Sequence, residues 1–320
     1  MKLAVVFPGQ GSQVVGMGAD WYAQCPAAHD VFELADARLG FALSTLCFKG
    51  PEEELRLTAN TQPAILATSI AVWECIGAEV TTPAYFAGHS LGEYSALVAS
   101  GSLELGDALS LVRERGRLMQ EAVPYGEGAM AAVIGLGSDV VEQICHEITH
   151  LLGQPVELAN FNSLEQVVVS GAVDSVQTAM ARFTEAGAKC VVELPVSAPF
   201  HSSLMVRAAD GLQPTLAATE FSVPTTSVVA NLTAQPYPDD PEQFPLILAA
   251  QIYNSVRWVQ TVQYFTEQGV THVLEVGPGR VLRMLTMKIA PGIKAMNIEE
   301  RAQFDGLREW LSAEQERADG

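Results

Sequence analysis

Basic side chains are scarce in this chain. Its 320 residues carry 18 Lys and Arg against 37 Asp and Glu, a formal charge of −19. That balance excludes non-specific binding to nucleic acid or to an anionic membrane surface, because the summed field repels polyanions. An anionic ligand must therefore meet a local basic group. Long apolar runs are missing as well: nowhere do about 18 apolar residues follow one another, so no membrane span is expected. Cysteine is sparse and scattered, with Cys25, Cys47, Cys75, Cys145 and Cys190 forming no Cys-x-x-Cys pair. Buried thiols in a reducing compartment are the expectation. No signal-peptide core follows Met1-Lys2, where a strand begins at once, and a soluble cytoplasmic protein is expected. Apolar residues are plentiful at 48%, enough for one large domain or two smaller ones.

Leu3-Ala4-Val5-Val6-Phe7 reads as a short strand buried on both faces, running into the glycine- and amide-rich loop Pro8-Gly9-Gln10-Gly11-Ser12-Gln13. Helical patterns follow at 20–38 and 62–78, a strand at Tyr85-Phe86-Ala87, then helices at 91–100 and 105–122. His272–Val276 reads as another strand, which ends in Gly277-Pro278-Gly279 and opens a helix. Strands alternating with helices predict an α/β core with a mainly parallel sheet. Residues 128–194 have a different order: strand 129–134, helix 138–152, strands 155–160 and 166–170, helix 173–186, strand 189–193. That β-α-β-β-α-β order predicts a ferredoxin-like unit. The expected division is a large subdomain of 1–127 and 195–320 with a small subdomain of 128–194 inserted in it. Hinges at 123–128 and Leu194-Pro195 would leave a cleft between the two.

The most informative segment is Gly88-His89-Ser90-Leu91-Gly92, set between a short strand and a helix. A strand that turns sharply into a helix at Gly-x-Ser-x-Gly lifts a serine hydroxyl clear of the backbone, and the glycines permit the close approach. The serine then lies at a helix N-terminus, where free N–H groups favour developing negative charge. Acyl transfer through Ser90 is the chemistry this predicts. Six histidines could serve as its base. His89 adjoins Ser90 and should face away; His29 and His272 sit in an ordinary helix and strand. His201 lies in Pro199-Phe200-His201-Ser202, a proline-shaped loop just before a helix and at a subdomain junction, where catalytic groups tend to sit.

A competing pattern is His146-Glu147-Ile148-Thr149-His150, which matches the zinc-binding H-E-x-x-H. The apolar positions Val140, Val141, Ile144, Ile148, Leu151 and Leu152 predict one buried stripe, with both histidines on the opposite, solvated face. No metal is expected there. Arg115 is a further candidate. Its helical neighbours Leu111, Val112, Leu118 and Met119 are all apolar, whereas Arg117 has Arg113, Glu114, Gln120 and Glu121 around it. A cation in apolar surroundings needs an anion, either a structural carboxylate or a bound substrate.

Taken in order, Phe7-Pro8-Gly9-Gln10-Gly11-Ser12-Gln13, Gly88-His89-Ser90-Leu91-Gly92-Glu93-Tyr94, Arg115-Gly116 with Met119-Gln120, Asn160-Phe161-Asn162-Ser163, Phe200-His201, and Gln251 with Tyr253-Asn254 resemble the malonyl-CoA:acyl carrier protein transacylases of fatty-acid and polyketide synthesis. The resemblance runs from residue 3 to about residue 290. It implies an α/β-hydrolase-like large subdomain with a ferredoxin-like insert. It also implies that Ser90 is the nucleophile and His201 its base, with a backbone carbonyl near Gln251 holding the imidazole. The oxyanion hole would be the N–H groups of Gln10 and Leu91, and Arg115 would grip the malonyl carboxylate. Met119 and Met130 would shape the acyl pocket, and Asn160 and Gln251 would line or support it. Phe200 would crowd a 2-methyl branch. The partners implied are malonyl-CoA and a phosphopantetheinylated acyl carrier protein, with no cofactor, and the chain is expected to work as a monomer. Carrier protein is normally acidic, so docking would need a local basic face; Arg280, Arg283, Lys288, Lys294 and Lys189 are the candidates. Leu164-Glu165 stands where many relatives have Pro-Gly, so a different turn is expected there.

Overall fold

In the computed structural model, which describes residues 1–80, 82–124, 126–196 and 198–319 (side chains to 312), nine strands form two sheets. They are β1 (Leu3–Phe7), β2 (Tyr85–Gly88), β3 (Gly128–Ile134), β4 (Val156–Ser163), β5 (Gln166–Ala172), β6 (Cys190–Glu193), β7 (Val228–Val229), β8 (His272–Val276) and β9 (Lys294–Ile298). The first sheet has the order β7-β2-β1-β8-β9, and every pair in it is parallel. β1 is buried at each position because helices cover both faces. Leu3, Val5 and Phe7 enter the core on one side, together with the long helix Thr58–Ile76, while Ala4 and Val6 enter the core built on Trp258, Val262 and Phe265. Chain order reverses beside β1, so the loops after β1, β2 and β8 converge at one end of the sheet, where α/β proteins bind ligands.

The second sheet is antiparallel with the order β4-β5-β3-β6. Ala129, Ala131, Val133, Val167 and Val169 face the helices Ser138–Leu152 and Val173–Glu185. The alternate residues Met130, Ala132 and Val168 belong instead to the core of the large unit. The period of two thus gives this sheet one face for its own core and one for the cleft. Its outer strand is also tied down. Phe161 N–H donates to Val256 O at 2.9 Å, Val256 N–H to Ala159 O at 2.9 Å, and Ser255 Oγ to Leu158 O at 2.5 Å. The edge that β4 would otherwise expose is thereby paired.

Several expectations change. The helix expected over 20–38 is two helices, Ala19–Gln24 and Pro26–Leu39, because Pro26 lacks an N–H and takes the first position of the second. Cys25, at that break, is bonded to Cys75 rather than free, and Cys190 is exposed; only Cys47 and Cys145 are buried thiols. On the helix Ser138–Leu152, Val141, Ile144 and Ile148 are buried but Val140, Leu151 and Leu152 are exposed, so the buried stripe is narrower than expected. Leu164 and Glu165 form a tight turn joining β4 to β5. Of the hinge at 123–128, Tyr125 lies outside the described residues. Among the described residues no helix is long and apolar enough to cross a membrane.

Candidate active site

β2 ends at Gly88, and the helix Gly92–Ala99 starts directly after the elbow. The packing at this turn admits no side chain. A Cβ on Gly88 would lie 1.9 Å from the Gly92 carbonyl, and one on Gly92 would lie 2.1 Å from Phe7 O. Between them Ser90 is held at φ 52°, a left-handed conformation costly for a residue with a side chain. Asn231 sustains it: its Oδ1 accepts the Ser90 N–H at 2.7 Å, and its Nδ2 donates to Gly88 O at 2.6 Å.

His201 also has a positive φ, 59°, in the loop between β6 and the helix Val206–Ala218. Its Nε2 lies 2.8 Å from Ser90 Oγ, and its Nδ1 lies 3.0 Å from Gln251 O and 3.1 Å from Asn254 O. Two carbonyl oxygens at Nδ1 require the proton there, which leaves Nε2 as the acceptor for the serine hydroxyl. Burial, with the Arg115 charge adding to it, pulls the His201 pKa down to about 3. The imidazole is therefore neutral at physiological pH, the form a general base needs.

Arg115 projects from the helix Leu105–Glu121 into the same site and is only 1% exposed. Its Nη1 donates to Gln62 Oε1 at 2.8 Å, and its Nη2 donates to Gln251 Oε1 at 2.8 Å and to Ser90 Oγ at 3.2 Å. All three acceptors are neutral, and Nε has no partner among the described residues. Of the two roles open to this arginine, a direct structural ion pair does not occur among the described residues. A buried guanidinium short of an anion and within reach of a nucleophile is built to receive a carboxylate. Arg117, by contrast, pairs with Glu114 and Glu121 at the surface.

A cleft of about 830 Å³ separates the two sheets. Gln10, His89, Asn160, Ala132 and Val168 line it, and Val281 and Leu285 stand on its large-unit wall. Among the described residues neither the Gln10 nor the Leu91 N–H donates a hydrogen bond, so both are available to an oxyanion beside Ser90. Met119 is buried and its Sδ accepts from Gln62 Nε2 at 3.7 Å. Met130 and Phe200 are buried in the core that backs the cleft. His89 turns away from Ser90, its Nε2 lying 2.9 Å from Asn162 Oδ1, so it ties the elbow to β4.

His146 and His150 are not brought to any site. Both stand on the exposed face of their helix, and Glu147 is engaged by Gln143 and Arg182. Among the described residues no group of three or more His, Cys, Asp or Glu could hold a metal ion. The geometry also adds residues that sequence reasoning missed. Gln62, Glu93, Asn231, Tyr237 and Asn254 all hydrogen-bond within this network. Glu93 and Asn254 lay inside recognised motifs; nothing in the sequence marked the other three.

A parallel sheet carrying a serine–histidine pair at a strand-to-helix elbow, faced by an inserted antiparallel sheet, defines an acyltransferase of the α/β class. The chain belongs to the acyl transferase domain family, whose model matches residues 4–302, and within it groups with the malonyl CoA-acyl carrier protein transacylases. It is 46% identical to the transacylase of that name from Escherichia coli K12, over 93% of this chain and 96% of that one. The Bacillus subtilis transacylase is 42% identical over 99% of both chains. The crystal structure of an acyl carrier protein S-malonyltransferase from Vibrio cholerae superposes with a TM-score of 0.92 at 43% identity, covering 96% of this chain and 100% of that one. A malonyl-transacylase in complex with a type II polyketide acyl carrier protein superposes at 0.93 and 44% identity, covering 97% and 99%.

Proposed function

We propose that this chain transfers a malonyl group from malonyl-CoA to the phosphopantetheine thiol of acyl carrier protein, supplying fatty-acid synthesis. Ser90, deprotonated by neutral His201, attacks the thioester carbonyl. The oxyanion that forms is met by the Gln10 and Leu91 N–H groups. His201 then returns the proton to the departing CoA thiolate, leaving a malonyl ester on Ser90. In the second half the carrier thiol attacks that ester, His201 takes its proton, and the proton goes back to Ser90 Oγ as the ester breaks. This is ping-pong covalent catalysis. Arg115 holds the malonyl carboxylate throughout.

The observation that carries the reading is the Arg115 guanidinium, buried, without a carboxylate and 3.2 Å from Ser90 Oγ. A neutral acyl chain would gain nothing from it. We take 1–127 with 195–320 as the unit that carries Ser90, Arg115 and His201, and 128–194 as the unit that closes the cleft against water. Every residue named comes from one chain, so a monomer suffices. The reading places the enzyme in the cytoplasm, with the CoA thioesters it draws on.

Intact mass after brief incubation with malonyl-CoA or acetyl-CoA tests it. Wild type should gain a malonyl adduct. Ser90→Ala should gain none. Arg115→Ala should lose the malonyl adduct selectively, by tenfold or more relative to the acetyl adduct. A malonyl adduct that persists in Ser90→Ala removes the nucleophile assignment.

A further inference from the structure

Among the described residues, Glu93 is the one acidic side chain sealed inside this site, and nothing in the proposed chemistry uses it. It follows the elbow by one helical residue past Gly92 and is fully buried. Its Oε2 accepts from Gln251 Nε2 at 2.9 Å and from Asn231 N–H at 3.1 Å, and its Oε1 accepts from Tyr237 Oη at 2.5 Å. Burial pushes the Glu93 carboxyl above the usual carboxylate range, and these three partners, each placed as a donor, oppose that rise together with the Arg115 charge and favour the ionised form.

The residues it holds are those that hold the catalytic groups. Gln251 donates to Glu93 and to Ser90 O through Nε2, accepts from Arg115 through Oε1, and accepts from His201 Nδ1 through its backbone carbonyl. Asn231 donates its N–H to Glu93 while its side chain fixes the Ser90 turn. We propose that Glu93 is a positioning residue that locks the Gln251 amide in one orientation, and through it aims Arg115 at the acyl carboxylate. This inference rests on the malonyl-transfer reading above.

The lock is electrostatic. With Glu93 ionised, turning the Gln251 amide over would put its oxygen against the carboxylate and its NH2 against the guanidinium, two repulsive contacts in place of two attractive ones. The carboxylate also supplies Arg115 with a counter-charge one amide away, so the buried cation is compensated before substrate arrives yet keeps its direct anion position open. A neutral glutamine at 93 satisfies the shape but removes the carboxylate's share of the lock, leaving Ser90 O and Arg115 alone to hold the Gln251 amide.

The test compares kcat/KM for Ser90 acylation by malonyl-CoA and by acetyl-CoA. The ratio is the readout, because proton transfer by His201 enters both rates alike. Glu93→Gln should lower the malonyl-to-acetyl ratio tenfold or more. Gln251→Ala should do the same, and the double variant should be no worse than Gln251→Ala alone. A ratio kept within twofold in Glu93→Gln, or losses that multiply in the double variant, overturns the proposal. Should Glu93→Gln not yield folded protein, Tyr237→Phe decides. It keeps the carboxylate and removes one donor to its charged form. The groups facing that carboxylate are then Arg115 from the helix Leu105–Glu121, the neutral Gln251 and Asn231, and its chain neighbour Tyr94, whose own pKa burial raises to about 12. The pH at which the ratio falls on acidification should move up by a unit or more relative to wild type; an unchanged profile overturns the proposal. Wild type that forms no malonyl adduct counts instead against the malonyl-transfer reading itself.

Discussion

At the scale of the residue, the proposed dyad works because burial and hydrogen bonding set one proton. His201 keeps Nδ1–H against the Gln251 and Asn254 carbonyls and is held neutral down to about pH 3. The free-enzyme kcat/KM for Ser90 acylation should therefore lack the acid limb near 6.5 that an exposed histidine would give. Rapid-quench mass spectrometry from pH 5 to 8 with acetyl-CoA, which gives Glu93 and Arg115 no carboxylate to hold, checks this, and a limb near 6.5 would refute it. The same depression has a consequence for stability. The unfolded chain takes up a proton near 6.5 that the folded chain refuses, so this contribution is present above 6.5 and is lost as pH falls toward 3. Ser90, His201 and Arg115 were legible in the sequence because each broke its surroundings: a serine between glycines, a histidine between prolines and a helix, a cation among leucines. Glu93, Gln62 and Asn231 did not. Glu93 in the first turn of a helix reads as ordinary dipole compensation, and only the packing of Tyr237, Gln251 and Asn231 around it reveals a buried charge.

At the scale of the element, the strand-to-helix elbow is the least tolerant part of the fold. A methyl at Gly88 would meet backbone of Gly92 at 1.9 Å, which no side-chain rotation relieves. Gly88→Ala should cost at least about 2 kcal/mol in urea denaturation, the upper part of the range for overpacking. It should also slow Ser90 acylation about a hundredfold, since misplacing a nucleophile by an ångström has that effect. Gly106→Ala is the matched control. Its Cβ would meet nothing nearer than Arg38 Nε at 3.9 Å on a helix, so it should leave acylation unchanged and raise stability by about 0.5–1 kcal/mol. Equal losses for both would show that the close approach at Gly88 is not what matters. Elements with a strong period were legible: β1, β8 and the helix Ser138–Leu152 fall where the patterns predict. The strands missed are brief or mixed. β7 has two residues, and β9 alternates Lys, Ala, Met, Asn and Ile at the sheet edge, so neither carries a pattern long enough to read.

At the scale of the whole molecule, the sequence showed two different orders of elements, and two sheets correspond to them, but it could not say how the sheets meet, because their junction is made by contacts without periodicity. Val256 pairs with the edge of β4 through backbone bonds and His89 bonds Asn162 through side chains, so hydrogen bonds tie the two sides of the cleft directly together. Charge poses the remaining problem at this scale. A chain of net charge −19 would need a local basic face to receive a carrier protein as acidic as its resemblance implies. Along the helix Val281–Ile289, Val281, Met284 and Met287 present an exposed apolar row that starts at the cleft wall, flanked by the exposed Arg280 and Lys288. Of the other basic candidates, Arg283 is engaged by Ala295 O and Asn297 Oδ1, Lys189 by Glu165, and Lys294 is engaged as well. Arg280 and Lys288 are thus the cations best placed to offset the repulsion, and rim charges act mainly on encounter. Reversing both to glutamate should raise KM for carrier protein about tenfold, some 1.4 kcal/mol shared between them, while the rate of Ser90 malonylation from malonyl-CoA stays within twofold. Added salt should help the reversed variant more than wild type, because the variant has a local repulsion to screen where wild type has an attraction. If KM for carrier protein does not move, the docking face lies elsewhere on the rim, and the apolar row beside these two cations has no part in it.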